Sequence, residues 1–472
     1  MQVIYRLVSS LTGRATPSLH RHANPVSRRG VCPSPRADRT GLPGRRHENR
    51  PGGPPVQLAR LLAFIVTAIP GHSAEPITLP AILAEVRARH PQIRAAAAIA
   101  AADRERIQQS DTWDDPIAGV EFQQAGHRQL ASYDAAEFSV SQRIPLSGNR
   151  ERRRAVATAA ADVALAGVRT REFLLLGETS DTFFQLLRAR EQLALTQASG
   201  DWLAQATTFS RQRLAAGSGR LSELISAETE QAQLDGRVVL LQREIADAAA
   251  RLNTLRDLPP QTPVPELSPP PLPSKEVNPT GFPSLEAAQA HAFSHRPDLH
   301  EAQARIIAAQ RVRELADRAW RPDPEVIFKA RHLATGGRLI ESYDTGFAVS
   351  LPWFNDKKYR SMQREADRRR EAAELEADTL RSKTAAEIRE MWQRVTTAQH
   401  QLEIYQQRLL PLARQNAASL KEDLALGKAT IPEVIAAHRA WVEAQVIGAA
   451  HLADFHRFHA LLHVLVGSPG PS

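Results

Sequence analysis

The clearest pattern in the chain is an apolar row whose spacing alternates between three and four. Leu224, Ala227, Gln231, Leu234, Val238, Leu241, Ile245, Ala248, Leu252 and Leu255 form one row, and Val434, Ala437, Trp441, Ala444, Gly448, His451, Phe455, Phe458, Leu462 and Leu465 repeat it 210 positions later. That spacing is the seam of a helix packed as a coiled coil. Ahead of each row lies a run, residues 149–214 and 356–424, that holds no proline except Pro411. At about 1.5 Å per residue, each run predicts a helix of roughly 100 Å, far longer than a globular core needs.

A second rhythm has a period of two. Phe138, Val140, Gln142 and Ile144 share one parity, as do Phe347, Val349 and Leu351, while Ser139, Ser141, Ala348 and Ser350 take the other. Such alternation fits a membrane barrel strand or a half-buried sheet, and periodicity alone leaves both open. Two hairpins give four strands per chain, too few to close. If they enter lipid, several chains must share one barrel, because an open sheet edge there leaves backbone groups unsatisfied.

These patterns belong to one unit written twice. His90-Pro91-Gln92-Ile93 pairs with Arg296-Pro297-Asp298-Leu299, Trp113 to Pro116 with Trp320 to Pro324, Val120-Glu121-Phe122 with Val326-Ile327-Phe328, and Pro145 with Pro352. Each unit reads as helix, two strands, a very long helix, a tight loop and a second long helix. The copies are expected over residues 78–257 and 285–467, separated by a linker, 258–284, with ten prolines. The fold class is therefore mainly α with a small β part.

Composition sharpens this picture at the N-terminus. Residues 1–57 hold ten arginines, no lysine and only Asp38 and Glu48 as acids, so they carry the whole formal charge of +8. The body is neutral, and no nucleic acid is expected as a partner despite the basic balance. This Pro- and Gly-containing segment is expected to be disordered or an upstream mis-start, with Val56 as an alternative start. Leu58 to Ile69 is a 12-residue apolar stretch, too short to span a bilayer and followed by Ser73-Ala74; residues 58–74 predict a signal peptide. A single cysteine, Cys32, excludes a disulfide framework and thiolate metal sites, and it lacks the setting of a lipid anchor.

The duplicated plan, the leader and the Pro-rich middle resemble the outer-membrane efflux protein family, whose best-known member is TolC. Val140 to Arg150 looks like the family's strand-to-helix passage, with Pro145, Gly148 and, in the second copy, Pro352 at the transition. His295-Arg296-Pro297-Asp298-Leu299 looks like the second-copy opening. Leu214 to Gly217 with Leu221, and Leu424 to Gly427 with Ile431, look like the periplasmic hairpin tips. Gly148-Asn149-Arg150 most resembles members serving heavy-metal or cation exporters of the CzcC kind.

The resemblance implies a homotrimer: twelve strands close an outer-membrane barrel in lipid, and a tunnel of α-helices continues it through the periplasm. It implies solute export, here of divalent metal cations, powered by an inner-membrane pump of the RND type through a periplasmic adaptor. Drug efflux and type I polypeptide secretion remain alternatives, as does a coiled-coil scaffold with no transport role. Adaptor contact is implied at Gly217, Arg220, Leu221, Ser222, Gly427 and Ile431. Acids ringing the periplasmic aperture are implied at Glu223 and Glu433, each six residues past its glycine. Helix-ending glycines and solvated glutamates explain the same residues without those roles.

His456, His459 and His463 share one face of the last helix and are candidate ligands for Zn, Cu or Ni. Their row lies one step off the apolar seam, so an ordinary helix flank explains them equally well. No cofactor is expected. The sequence holds no Gly-rich phosphate loop, His-Glu-x-x-His or nucleophile elbow, and no enzyme activity is expected.

Overall fold

A computed structural model of the chain describes residues 76–123, 134–270, 280–335 and 337–468. The expected leader and the basic segment before it lie outside the described residues. Helices α1 (Leu79–Arg89) and α2 (Pro91–Ser110) precede strands β1 (Ile117–Gln123) and β2 (Ala135–Arg143), then helices α3 (Asn149–Ala215) and α4 (Leu221–Leu255). The order recurs as α5 (Leu285–His295), α6 (Pro297–Arg318), β3 (Pro324–Leu333), β4 (Ser342–Val349), α7 (Asp356–Ile404), α8 (Leu410–Ala425) and α9 (Ile431–Leu465). Pro91 and Pro297 each stand at the first position of their helix, where a missing N–H costs nothing.

The predicted seams are the inner faces. Every residue of the row from Leu224 to Leu255 is buried or half-buried while most positions between are exposed; the row from Val434 to Leu465 is likewise buried or half-buried, but there most positions between are covered too, with Ala436, Arg439, Ala440 and Glu443 exposed. The apolar core collects at three levels. Ile82 and Val86 of α1 pack with Phe183, Phe184 and Leu186 of α3 and Leu252 of α4. The equivalent layer in the second copy sets Ala288 and Ala292 of α5 against Ile388 and Val395 of α7 and Leu462 of α9. Toward the tips, Leu203 of α3, Ala227 of α4, and Ile431 and Ile435 of α9 join the two hairpins.

Helix α3 runs unbroken for 67 residues. Its counterpart does not: a π turn, Tyr405–Leu409, separates α7 from α8. Pro411 supplies the reason. Its ring would strike the carbonyl four residues earlier and it has no N–H to give back; one wider turn, closed by Leu410 N–H on the Tyr405 carbonyl, absorbs the misfit without stopping the helix.

The Pro-rich linker is strapped to the first copy. Ile77 bridges to Leu267 in parallel, with Ile77 N–H donating to the Glu266 carbonyl at 2.8 Å and Ser268 N–H to the Ile77 carbonyl at 3.1 Å. Arg190 of α3 donates to the carbonyls of Pro265 and Val264 at 2.6 and 2.8 Å, and Asn253 of α4 donates to Thr262 at 2.7 Å. Carbonyls that proline leaves without strand partners are met by side chains instead.

The four strands form one antiparallel sheet in the order β1-β2-β3-β4, so the two hairpins meet along β2 and β3. β1 and β4 are its edges. No helix among the described residues is long and apolar enough to cross a membrane.

Candidate functional site

The register of the sheet sorts its side chains onto two unlike faces, because residues directly opposite one another share a face. Val120 sits opposite Phe138 and Phe138 opposite Ala330; Val140 sits opposite Phe328, and Val326 opposite Phe347. This face is largely apolar, and its large side chains are exposed: Val120, Phe138, Val140, Phe328, Tyr343, Phe347 and Val349, Phe347 by 79%. An ordinary half-buried sheet would turn such a face onto a core; here its large apolar side chains are exposed in the single chain.

The opposite face carries charge. Glu121 lies opposite Glu137, Glu137 opposite Arg331, and Lys329 opposite Asp344. Glu137, only 5% exposed, accepts from Lys329 Nζ at 2.5 Å and from Arg331 at 3.1 Å. Ile117, Ile327 and Leu333, with the small Ala135 and Ala348, are the apolar exceptions on this side. Five charges in two adjacent rows need water or each other, and two acids side by side on β1 and β2 are tolerable only because both cations lie within reach.

At the strand-to-helix passage, Gly148 adopts φ +76° as the N-cap of α3, a left-handed conformation that a β-carbon disfavours. Asp323, from the second copy, accepts from Ser147 N–H at 2.8 Å, and Ile144 N–H donates to the Pro324 carbonyl at 2.8 Å. The first passage is thus locked to the start of β3. In the second copy Pro352 is buried and opens a single 3-10 turn, Pro352–Asn355, before α7.

The two hairpin tips share one backbone design. Gly217 and Gly427 have φ +70° and +74°. In each, the next residue's N–H reaches back to close the helix: Ser218 to the Arg213 carbonyl at 3.0 Å and Lys428 to the Asp423 carbonyl at 2.8 Å. With the accompanying bonds from Gly217 to Leu214 and from Gly427 to Leu424, this is the Schellman arrangement. Gly217, Arg220, Leu221, Ser222 and Gly427 are exposed. Ile431 is not: it is 2% exposed and packs with Leu203, Ala227 and Ile435. It cannot present a surface to another protein in this arrangement. Its role is to hold one hairpin against the other.

Glu223 and Glu433 occupy the same N3 position of α4 and α9 but live differently. Glu433 is exposed and reaches back to Thr430, accepting from its N–H at 2.7 Å and its hydroxyl at 2.8 Å, which completes a capping box. Those bonds to Thr430 hold its carboxyl below the usual carboxylate range. Arg220, the N-cap of α4, provides no such cap, and Glu223 is buried with Oε2 unpartnered.

The candidate histidines divide. His456 is buried, stacked near Phe184 with ring centroids 6.4 Å apart. His459 and His463 are neighbours at 4.6 Å, and His463 rests near Phe282. Burial, with like-charged neighbours His463 and His456, pushes His459 down to about 4. Among the described residues, no group of three or more His, Cys, Asp or Glu is placed to hold a metal. Packing against aromatic rings accounts for this row. The charged triad of Glu137, Lys329 and Arg331 escaped the sequence reading, since Glu137 lies over 190 positions from its two partners in the chain and only the β2–β3 register unites them.

Residues 290–456, from α5 into α9, match the family model of the outer membrane efflux proteins. Among solved structures, the outer-membrane channel OprN is 18% identical, with a TM-score of 0.71 over 83% of this chain and 90% of that one. CusC, a protein described by its transmembrane channel formation, gives 15% identity and a TM-score of 0.71 over 83% and 92%. The open state of the MtrE outer membrane channel of Neisseria gonorrhoeae gives 14% and 0.68 over 83% and 89%. No curated protein sequence matches the chain.

Proposed function

Because residues 290–456 match the outer membrane efflux protein family and the chain shares the fold of the outer-membrane channels OprN and CusC, we propose that this chain is the outer-membrane channel of a tripartite efflux system. The observation that carries the reading is the two-faced sheet. Its bare apolar face suits lipid, its charged face suits a water-filled bore, and its two free edges demand further copies. Three chains bring twelve strands, an even number that closes.

On this reading α3, α4, α7, α8 and α9 continue the bore as a periplasmic tunnel. The exposed tip residues Gly217, Arg220, Leu221, Ser222 and Gly427 meet a periplasmic adaptor, and an inner-membrane pump of the RND type supplies the energy. Glu223 and Glu433 of each copy are the aperture acids, Glu433 exposed and Glu223 buried in the single chain. Residues 58–74 act as the export signal, and residues 78–257 and 285–467 are the two repeats. The tube does no chemistry, and cargo passes without tight binding.

The cargo we assign is divalent metal cations, supported by the likeness of Gly148-Asn149-Arg150 to exporters of that kind. Deleting the gene and scoring growth against Zn, Co, Cd and Cu beside a panel of hydrophobic drugs tests this. Loss of metal resistance with drug resistance intact is the expected outcome; the reverse pattern overturns the cargo assignment.

A further inference from the structure

All four strands pass to helices at one end of the sheet, and three tryptophans mark that level. Trp113 stands four residues before the start of β1, Trp320 four before the start of β3, and Trp353 four after the end of β4. All three are exposed, as is Phe354 beside them, whereas the chain's other three tryptophans, Trp202, Trp392 and Trp441, are half-buried among helices. Indoles held at one level, where an apolar sheet face ends, mark a boundary between hydrocarbon and water.

The cations of this rim differ between the two copies. In the first, the arginines are answered: Asp114 meets Arg143 and Arg153, Asp111 meets Arg150 and Arg154, and Glu314 meets Arg152. In the second, residues 318–325 and 349–360 hold five cations and three carboxylates, and those carboxylates are engaged. Asp323 accepts from Ser147 N–H, Asp356 pairs with Arg360 at 2.9 Å, and Glu325 lies opposite Arg143. Arg318 packs against Gly148. That leaves Arg321, Lys357 and Lys358, all exposed and without a carboxylate partner among the described residues. The three come to one level. Arg313 of α6 pairs with Asp367 of α7 at 3.0 Å, and the two segments run antiparallel toward the sheet, where Pro324 lies opposite Val349. Eight residues onward from Arg313 and eight back from Asp367 are Arg321 and Tyr359, in the turn of α7 that carries both lysines. Those lysines stand at the positive end of the helix dipole, so the helix itself gains nothing from them.

Unanswered cations beside exposed indoles suit a partner that is anionic at one end and apolar at the other. We propose that the rim beside β3 and β4 binds an anionic phospholipid of the leaflet nearest the helices, its phosphodiester held by Arg321, Lys357 and Lys358 and its acyl chains lying along Trp320, Trp353 and the apolar strand face. The guanidinium takes two phosphate oxygens at once, and the ammoniums act as point charges. A zwitterionic headgroup brings its own cation and forfeits most of that attraction. The proposal rests on the reading of the sheet as part of a membrane barrel.

The test is tryptophan quenching in the full chain, folded into phosphatidylcholine vesicles that contain a minor fraction of phosphatidylglycerol. Bromine is placed on one lipid or the other, and Trp320 and Trp353 read which of them sits beside these cations. Phosphatidylglycerol should associate at least about fivefold more strongly than its bulk fraction implies, the gain for one cation near a headgroup. The variant combining Arg321→Gln, Lys357→Gln and Lys358→Gln should bring the two lipids to near equality, while Lys428→Gln at the distant hairpin tip should leave the preference as it was. Should the combined variant fail to fold, the parent at about 1 M salt, where exposed charges are screened, should lose the preference as well. Equal quenching by both brominated lipids in the parent, or a preference undiminished in the combined variant, would overturn the proposal and leave the barrel standing. Quenching by neither lipid would sink the barrel reading and the proposal together.

Discussion

Placing an arginine on either face of β2 separates a membrane sheet from any other kind. Val140 and Ser139 are neighbours near the middle of the strand, yet Val140 belongs to the bare apolar face and Ser139 to the charged one. Ser139 lies opposite Gly119, which leaves room for a long side chain. On the lipid face of a transmembrane barrel, an arginine near the bilayer midplane costs about 2–4 kcal/mol. If three copies assemble, the burden on one complex is about 6–12 kcal/mol, comparable with the whole stability of an ordinary domain. Ser139→Arg puts a cation on the wet face directly opposite Lys329, and that solvated like-charge pair should cost no more than about 1 kcal/mol. The assay is folding into lipid vesicles from urea, followed by the midpoint of the equilibrium transition. Val140→Arg should shift the midpoint strongly or prevent assembly, and Ser139→Arg should shift it little. Equal effects, or damage confined to Ser139→Arg, would refute the assignment of the faces.

Three further outcomes follow from the tips and the joint between hairpins. Ile431→Ala should lower stability by about 2–4 kcal/mol in urea titrations because it opens a cavity in the joint, whereas Leu221→Ala, at a position 59% exposed, should change stability by under about 0.5 kcal/mol and instead weaken co-purification with the adaptor. Glu433→Gln should alter the cation preference of single channels in planar bilayers, read as a moved reversal potential, while Thr430→Ala, which breaks only the cap, should cost about 1 kcal/mol of stability. His438 and His459 are each lowered to about 4 in the folded chain against an ordinary 6.5, so the unfolded chain binds more protons between those values. Their contribution is complete above about pH 6.5 and is lost as the pH falls toward 4; the urea midpoint should drop across that window, by at most about 3 kcal/mol per histidine, and His438→Gln should flatten the slope.

Much of this arrangement is written locally. The seam from Leu224 to Leu255 could be read because helix burial follows a 3.5 spacing whatever the partner is, and the tips because Gly217 and Gly427 stand where only a left-handed residue closes the helix. The Thr430-x-x-Glu433 pattern is a capping-box signature in plain view, and it gives a structural role to an acid that the family resemblance implies for the aperture. Other features depend on contacts that no window of sequence contains. The exposure of the Phe138–Phe328–Phe347 face requires knowing that no described residue packs over it. The family resemblance puts Ile431 among the tip residues, but its side chain packs in the joint with Leu203. The stack of His438 on Trp202 joins residues 236 positions apart with no matching motif in the first copy. The π turn was half legible: Pro411 announced a disturbance, but not whether the helix would break or widen.

The central claim is that one chain supplies a third of a closed, water-filled barrel. Native mass spectrometry of the mature protein, extracted from outer membranes and released from detergent micelles, tests it most directly. The account predicts a complex of three copies. A monomer that stays soluble without detergent would contradict it.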